Sequence, residues 1–211
     1  MTTDSRGRTL GVLLFPAFEL LDVFGPLQAF GNIRLGDDRW RMVTIAERAG
    51  AVESAQGPRA VADATLGECP PLDGLLVPGG LGTRKEVANE PLLDWIRRRS
   101  EQASIVASVC TGAALLARAG VLDGRRATTN KFSFSWVVEQ GPKVEWVREA
   151  RWVEDGKFAT SSGVSAGIDL ALRLIEKTSG TEAAERVATG MEYDWHRDPS
   201  WDPFASVWKL V

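Results

Sequence analysis

The segment Ser108-Val109-Cys110-Thr111-Gly112 carries the strongest chemical signal in the chain. An apolar run, Ala103 to Val109, leads straight into Cys110, and a helix-forming run, Thr111 to Ala119, follows it and stops at Gly120. This is the layout of a nucleophile elbow, a sharp strand-to-helix turn that holds one side chain above the carboxyl edge of a sheet. Such a turn crowds the residues two before and two after the nucleophile, and here they are Ser108 and Gly112, both small. A thiol at a helix N-terminus meets unpaired N–H groups and the positive end of the helix dipole, which lowers its pKa below the usual ~8.5. Cys110 is therefore read as a nucleophile rather than as the small buried apolar residue that a free cysteine often is.

Other groups belong on the same edge. Pro78-Gly79-Gly80 ends a neighbouring apolar run, so the backbone N–H groups of Gly80 and Leu81, with that of Thr111, are candidates to face an anion or oxyanion beside Cys110. Glu19 and Asp22 follow the first apolar run three residues apart, a spacing that puts both on one helix face. Either carboxyl, held protonated near sulfur, is able to donate or accept one proton. His196 is the only histidine, in a polar stretch near the end, so a Cys–His pair must use it or do without. Cys69, in Glu68-Cys69-Pro70-Pro71, has no strand–helix support and reads as structural.

The elements that must position these groups are legible as apolar runs and turn signals. Strands are expected at Thr9–Phe15, Trp40–Ala46, Leu72–Val77 and Ala103–Val109, with shorter ones at Val144–Trp146, Arg151–Val153 and Lys157–Thr160, the last two joined by an Asp155-Gly156 hairpin turn. Helices are expected at Glu19–Asn32, with Pro26 kinking it or starting its second half, and at Leu92–Gln102, Thr111–Ala119, Lys131–Gln140, Ser165–Thr178 and Glu182–Thr189. Strand, turn, helix and strand in this order imply a single α/β domain over residues 1–211, with a mostly parallel sheet covered on both faces. A Trp-rich tail, 191–211, either pins itself to the domain or forms a lid or dimer contact.

Composition narrows the function. The chain has 211 residues, 44% hydrophobic, with 25 basic and 28 acidic side chains. A net charge of −3 gives no general grip on phosphate backbones, so nucleic acid is not the expected partner. Two cysteines and one histidine exclude a disulfide framework and the usual zinc sites, and no metal or cofactor is expected. No run approaches the roughly 18 apolar residues of a membrane span. The polar start, Met1 to Arg8, is not that of a signal peptide, so the expected compartment is the cytoplasm.

Taken in order, these pieces resemble the ThiJ/PfpI superfamily, relatives of the class I glutamine amidotransferases. The resemblance runs from Val12 to about Gly190. It rests on Phe15-Pro16, Leu21-Asp22-Val23-Phe24-Gly25-Pro26, Leu76-Val77-Pro78-Gly79-Gly80, the elbow through Ala113, Leu122-Asp123-Gly124, Ala127-Thr128-Thr129 and Ser162-Gly163-Val164-Ser165-Ala166-Gly167-Ile168-Asp169. It implies a flavodoxin-like three-layer sandwich and a homodimer, with Ser162, Gly163 and Val164 at a pocket or interface. The branch most resembled is the isonitrile hydratases, which implies a small-molecule substrate R–N≡C, Cys110 as nucleophile, Asp22 as the acid and Thr111 as a supporting hydroxyl. On that resemblance Asp22 is preferred to Glu19. The peptidase branch has His after the elbow cysteine, where this chain has Thr111, and many relatives read Ala-Thr-Thr-His, where this chain has Asn130. Glyoxalase- or amidase-like chemistry, which needs a second base, and a redox-responsive protein with an oxidisable Cys110 are the alternatives.

Overall fold

Continuous apolar runs make the central strands because both faces of a parallel sheet are covered. The computed structural model describes residues 7–33 and 40–211; most of the polar start, at 1–6, lies outside the described residues, as do 34–39. In chain order the first half holds β1 (Arg8–Leu14), α1 (Leu20–Gly31), β2 (Trp40–Ala46), β3 (Gly50–Glu53), β4 (Arg59–Ala62), β5 (Ala64–Thr65), β6 (Gly74–Val77), α2 (Thr83–Glu86), α3 (Glu90–Gln102), β7 (Ile105–Ser108) and α4 (Gly112–Arg118). The second half holds β8 (Arg126–Ala127), α5 (Phe134–Gln140), β9 (Glu145–Trp146), β10 (Trp152–Asp155), β11 (Phe158–Ser161), α6 (Ala166–Ser179), α7 (Thr181–Gly190) and α8 (Phe204–Val207).

The seven-stranded sheet runs β10-β11-β7-β6-β1-β2-β5. All its neighbours pair in parallel except β10, which returns antiparallel along β11 through the Asp155-Gly156 turn. Helix α1 packs on α6 and α6 on α7, while α2, α3 and α5 pack on α4, so helices flank the sheet. The expected α/β sandwich with a mostly parallel centre is therefore the observed one. Among the described residues, no helix is long and apolar enough to cross a membrane.

Three features bear on the site. The carboxyl ends of β1, β6, β7 and β11 are contiguous, because β11 pairs β7, β7 pairs β6 and β6 pairs β1. Helix α1 continues through Pro26, whose missing N–H leaves the Asp22 carbonyl without its intrahelical donor. The small β3–β4 hairpin is tied to the loop after β1 by Ala17 N–H to Glu53 O (2.8 Å) and Ala55 N–H to Phe18 O (2.8 Å). That hairpin was not expected from the sequence. Its strands are four residues each and mostly exposed, so they carry no apolar run.

The tail is held by a buried carboxylate. Asp169 on α6 is fully buried and receives Arg151 Nε on Oδ2 (2.7 Å), the Tyr193 hydroxyl on Oδ1 (3.1 Å) and the His196 backbone N–H on Oδ1 (3.0 Å). The Arg151 N–H in turn donates to Pro199 O (2.9 Å), and further along the Trp208 ring lies 4.7 Å from that of Phe132. These contacts pin the tail. Removing one member of a buried ion pair costs about 3–5 kcal/mol because the other is left uncompensated. Asp169→Ala is therefore expected to lower the urea midpoint by a corresponding amount and to expose residues 191–211 to limited proteolysis at temperatures where the parent chain resists it.

Candidate functional site

Strand β7 ends at Ser108, and the chain turns sharply at Cys110, whose φ of 56° lies in the left-handed region. A non-glycine residue there is strained, and such strain collects at functional sites. The turn is locked from both sides: Cys110 N–H donates to Ser162 O (3.0 Å), and the Thr129 hydroxyl donates to Cys110 O (2.8 Å). Helix α4 starts at Gly112, where a Cβ would stand 2.2 Å from Val77 O, so only glycine lets the helix begin against the end of β6. Cys110 is the elbow residue, and it is 6% exposed.

Asp22 faces the sulfur. It is fully buried on α1, and its Oδ2 accepts the Gly79 N–H at 2.8 Å, while Oδ1 has no conventional hydrogen-bond partner. Its carboxyl interacts with the Cys110 thiol. Gly79 allows this approach, since a Cβ there would lie 2.5 Å from Thr111 N and 2.9 Å from Asp22 Oδ2. Two further backbone N–H groups, those of Thr111 and Val164, are directed at the sulfur. Val164, a β-branched residue, also sits at positive φ (41°), so the second strained residue of the site is the one whose N–H meets Sγ.

Burial dominates the electrostatics. It pushes the Asp22 carboxyl well above the usual carboxylate range, against the pull of the Gly79 N–H and with help from the nearby charge of Glu19. It also pushes the Cys110 thiol up, reinforced by the charge of Asp22 and opposed by the N–H groups of Thr111 and Val164. The sequence reading, a thiol lowered by a helix N-terminus, is thus reversed. Helix α4 is only seven residues long, and the desolvation and carboxylate beside the sulfur outweigh its end.

The remaining candidates are placed as follows. Glu19 is half-buried, and its Oε1 accepts from Gln56 Nε2 (2.7 Å), while Gln56 Oε1 accepts the Leu20 N–H (3.1 Å). Glu19 acts on the sulfur only through its charge. The Gly80 N–H, expected to face an anion, donates instead to Thr111 Oγ1 at 3.0 Å, while Leu81, whose N–H was the other expected donor of this turn, is exposed. Ser162 is buried beneath Cys110, and Gly163 lies against Asn130. His196 is held on the tail by Asp169 and beside Trp201, and no contact joins it to Cys110. Cys69 is buried and free. Among the described residues, no group of three His, Cys, Asp or Glu side chains is arranged to hold a metal.

Sequence reasoning missed three contributors. Thr83, from the unexpected short helix α2, places its hydroxyl 3.1 Å from Thr111 Oγ1. Gln56, from the unexpected hairpin, engages Glu19. Thr129 was noticed within a motif but not as a partner of the elbow.

Comparisons with known proteins bear on the family and the fold. Residues 8–177 match the DJ-1/PfpI family. The chain is similar to an isonitrile hydratase of Pseudomonas putida, at 36% identity over 184 residues, covering 87% of this chain and 78% of that one. It is also similar to the HTH-type transcriptional regulator GbdR of Pseudomonas aeruginosa, at 26% identity over 89% of this chain, but spans only 51% of the regulator. Among solved structures, a THiJ/PfpI family protein from Pseudomonas syringae superimposes with a TM-score of 0.81 at 30% identity, covering 90% of this chain and 76% of that one. Drosophila melanogaster DJ-1beta, at 21% identity, shares the fold with a TM-score of 0.79 over 90% of this chain and 100% of that one.

The raised pKa values have consequences of opposite visible sign. A carboxyl whose pKa is higher folded than unfolded contributes stability below about pH 4, and that contribution is lost as pH rises through the folded value. Asp22→Asn is expected to melt above the parent chain at pH 7.5, by about 2–4 °C for each kcal/mol relieved, with the difference closing towards pH 4. The same substitution removes a negative charge beside the sulfur. Iodoacetamide should therefore alkylate Cys110 faster at pH 7.5 in Asp22→Asn than in the parent, whose rate should still be climbing above pH 9.

Proposed function

The chain belongs to the DJ-1/PfpI family, and from that premise and the Cys110–Asp22 geometry we propose that it is a cysteine enzyme that hydrates isonitriles to N-substituted formamides. One observation carries the reading: the Asp22 carboxyl is buried beside the buried Cys110 thiol, and burial favours the neutral form of each. Addition to an isonitrile places sulfur and hydrogen on the same carbon. A single acid beside the nucleophile suits that demand.

The steps balance as follows. Asp22 takes the thiol proton while the sulfur lone pair forms a C–S bond to the terminal carbon of R–N≡C. The electron pair left on that carbon takes the proton back from Asp22, giving the S-bound thioimidate R–N=CH–S. Water then adds to the carbon and a proton passes to nitrogen. The C–S bond breaks with its electrons going to sulfur, the hydroxyl proton follows, and R–NH–CHO leaves with the thiol restored. Gly79 keeps the Asp22 carboxyl aimed, and the low exposure of the pair keeps bulk water from competing for the proton.

The alternatives fit less well. A second base for glyoxalase- or amidase-like chemistry would have to be Glu19, which is engaged by Gln56, or His196, which is tied to Asp169. A redox sensor calls for an exposed thiol of low pKa, the opposite of Cys110. A homodimer is proposed by resemblance, and the exposed Leu21 and Phe24 flanking Asp22 on α1 favour it, since they leave apolar surface uncovered in one copy.

The test is turnover of one aliphatic and one aromatic isonitrile to their formamides. The parent chain should produce formamide, Cys110→Ala none, and Asp22→Asn about 10²–10⁴-fold less, the range for loss of a general acid–base. Absence of formamide from the parent chain with both substrates would overturn the reading.

A further inference from the structure

We propose that the cleft between the ends of β1 and β2 and the helices α2 and α3 binds a small primary amine, its ammonium held by Glu86 and Glu47 and its apolar body by Phe15 and Leu92. The cleft has a volume of about 710 Å³, the size a small organic molecule needs. Leu14 and Phe15 line it from the end of β1, Ala46 and Glu47 from the end of β2. Neither Cys110 nor Asp22 lines it, so the inference does not depend on the hydratase reading.

Glu86, the last residue of α2, is 5% exposed, yet among the described residues no Lys or Arg pairs with it. A buried carboxylate without a cation or a full set of donors is costly. Glu86 has a single donor, Asn89 Nδ2, which reaches its Oε2 at 2.7 Å. The same nitrogen reaches Glu47 Oε2 at 3.2 Å. The two hydrogens of one amide thus go to two carboxylates, while Asn89 Oδ1 takes the Leu92 N–H (3.3 Å) and caps α3. Asn89 has nothing left to donate. Glu86 Oε1 receives no donor from any described residue and is not sealed from solvent, so it meets whatever fills the cleft. Two carboxylates gathered on one donor repel each other, and a cation between them relieves both.

The donor set selects the cation. Calcium takes about six to eight oxygens. Among the described residues no three His, Cys, Asp or Glu side chains gather to hold a metal. A guanidinium binds best to both oxygens of one carboxylate, but Glu86 Oε2 is already engaged by Asn89. An ammonium is a point charge with three donors and takes one oxygen from each of two carboxylates. Beside these groups the cleft is apolar, with Leu14, Phe15 and Leu92 all buried. The occupant is therefore an ammonium on an aliphatic or aromatic body. Arg48 and Lys85 also line the cleft, but both are exposed and screened by solvent, whereas Glu86 acts from the buried floor.

Calorimetric titration at pH 7.5 with hexylamine, charged at that pH, and with hexan-1-ol and hexanoate tests the site. The parent chain should bind one hexylamine with a Kd below about 1 mM, and the alcohol and the acid at least about tenfold more weakly. Glu86→Gln keeps the side chain's size and an acceptor for Asn89 but removes the charge. It should weaken hexylamine binding about 10–100-fold, the range for losing a hydrogen bond to a charged group. Ala88→Trp fills the cleft from an exposed position, where no core packing is disturbed, and should abolish binding; it decides the matter where Glu86→Gln fails to fold. Hexylamine bound no more tightly than hexan-1-ol, or bound undiminished by either folded variant, would overturn the site. Formamide production decides the hydratase reading separately.

Discussion

The burial of the Asp22 carboxyl beside the Cys110 thiol is the constraint around which the carboxyl edge of this sheet is built. Both groups are out of water, where neither charged form is well solvated. Three backbone N–H groups reduce that cost, Gly79 at the carboxylate and Thr111 and Val164 at the sulfur. Each imposes a shape on the chain. Gly79 must lack a Cβ, and Cys110 and Val164 must both adopt left-handed backbone, at a cost on the order of 1–3 kcal/mol each. Against a net stability of about 5–15 kcal/mol this is a large local burden, and it is sustained where the surroundings leave no alternative. The buried strands β6, β7 and β11, in parallel register, supply that rigidity.

How far the sequence discloses this depends on whether a feature is local. The elbow was legible because strand, small flank, cysteine and helix are consecutive in the chain. The same holds for β1, β6 and β7, which are largely apolar, for β2, which alternates, and for α3, whose apolar spacing predicts the helix that Asn89 is found to cap. What stayed hidden is short or distant. Helix α2 is the four residues Thr83–Glu86, too brief to show a period, yet it carries Thr83. The β3–β4 hairpin is mostly exposed and shows no apolar alternation, yet it brings Gln56 to Glu19. Spacing alone could not rank Asp22 above Glu19, because what separates them is a side chain 37 positions away.

The thiol pKa shows the same division more sharply. Helix N-termini do favour thiolates, and the local pattern at Thr111–Arg118 invites that reading. The outcome is set by terms that no local pattern contains: how much water the fold excludes and which charges it brings alongside. Here the fold excludes almost all of it and adds Asp22, so the sulfur is held as a neutral thiol. In the proposed reaction the proton of the thiol passes to Asp22 at the moment of attack, so the orientation of Asp22, and hence Gly79, matters there.

The use of the remaining N–H groups narrows the chemistry further. Attack on an amide, ester or peptide carbonyl generates an oxyanion, which needs free donors aimed at the new charge. The glycine turn after β6 is the natural source of such donors in this arrangement, but Gly79 donates to Asp22 and Gly80 to Thr111. Spending those donors on side chains weakens carbonyl chemistry at this edge. An isonitrile has no oxygen to develop charge; its reacting carbon needs a proton, and a neighbouring carboxyl provides one. The bonds that engage the Gly79 and Gly80 donors also hold Asp22 and Thr111 in place. On the hydratase reading, the Gly79 and Gly80 donors position a proton donor and a hydroxyl rather than stabilising an anion, which is the distinction between adding a thiol to R–N≡C and cleaving an amide.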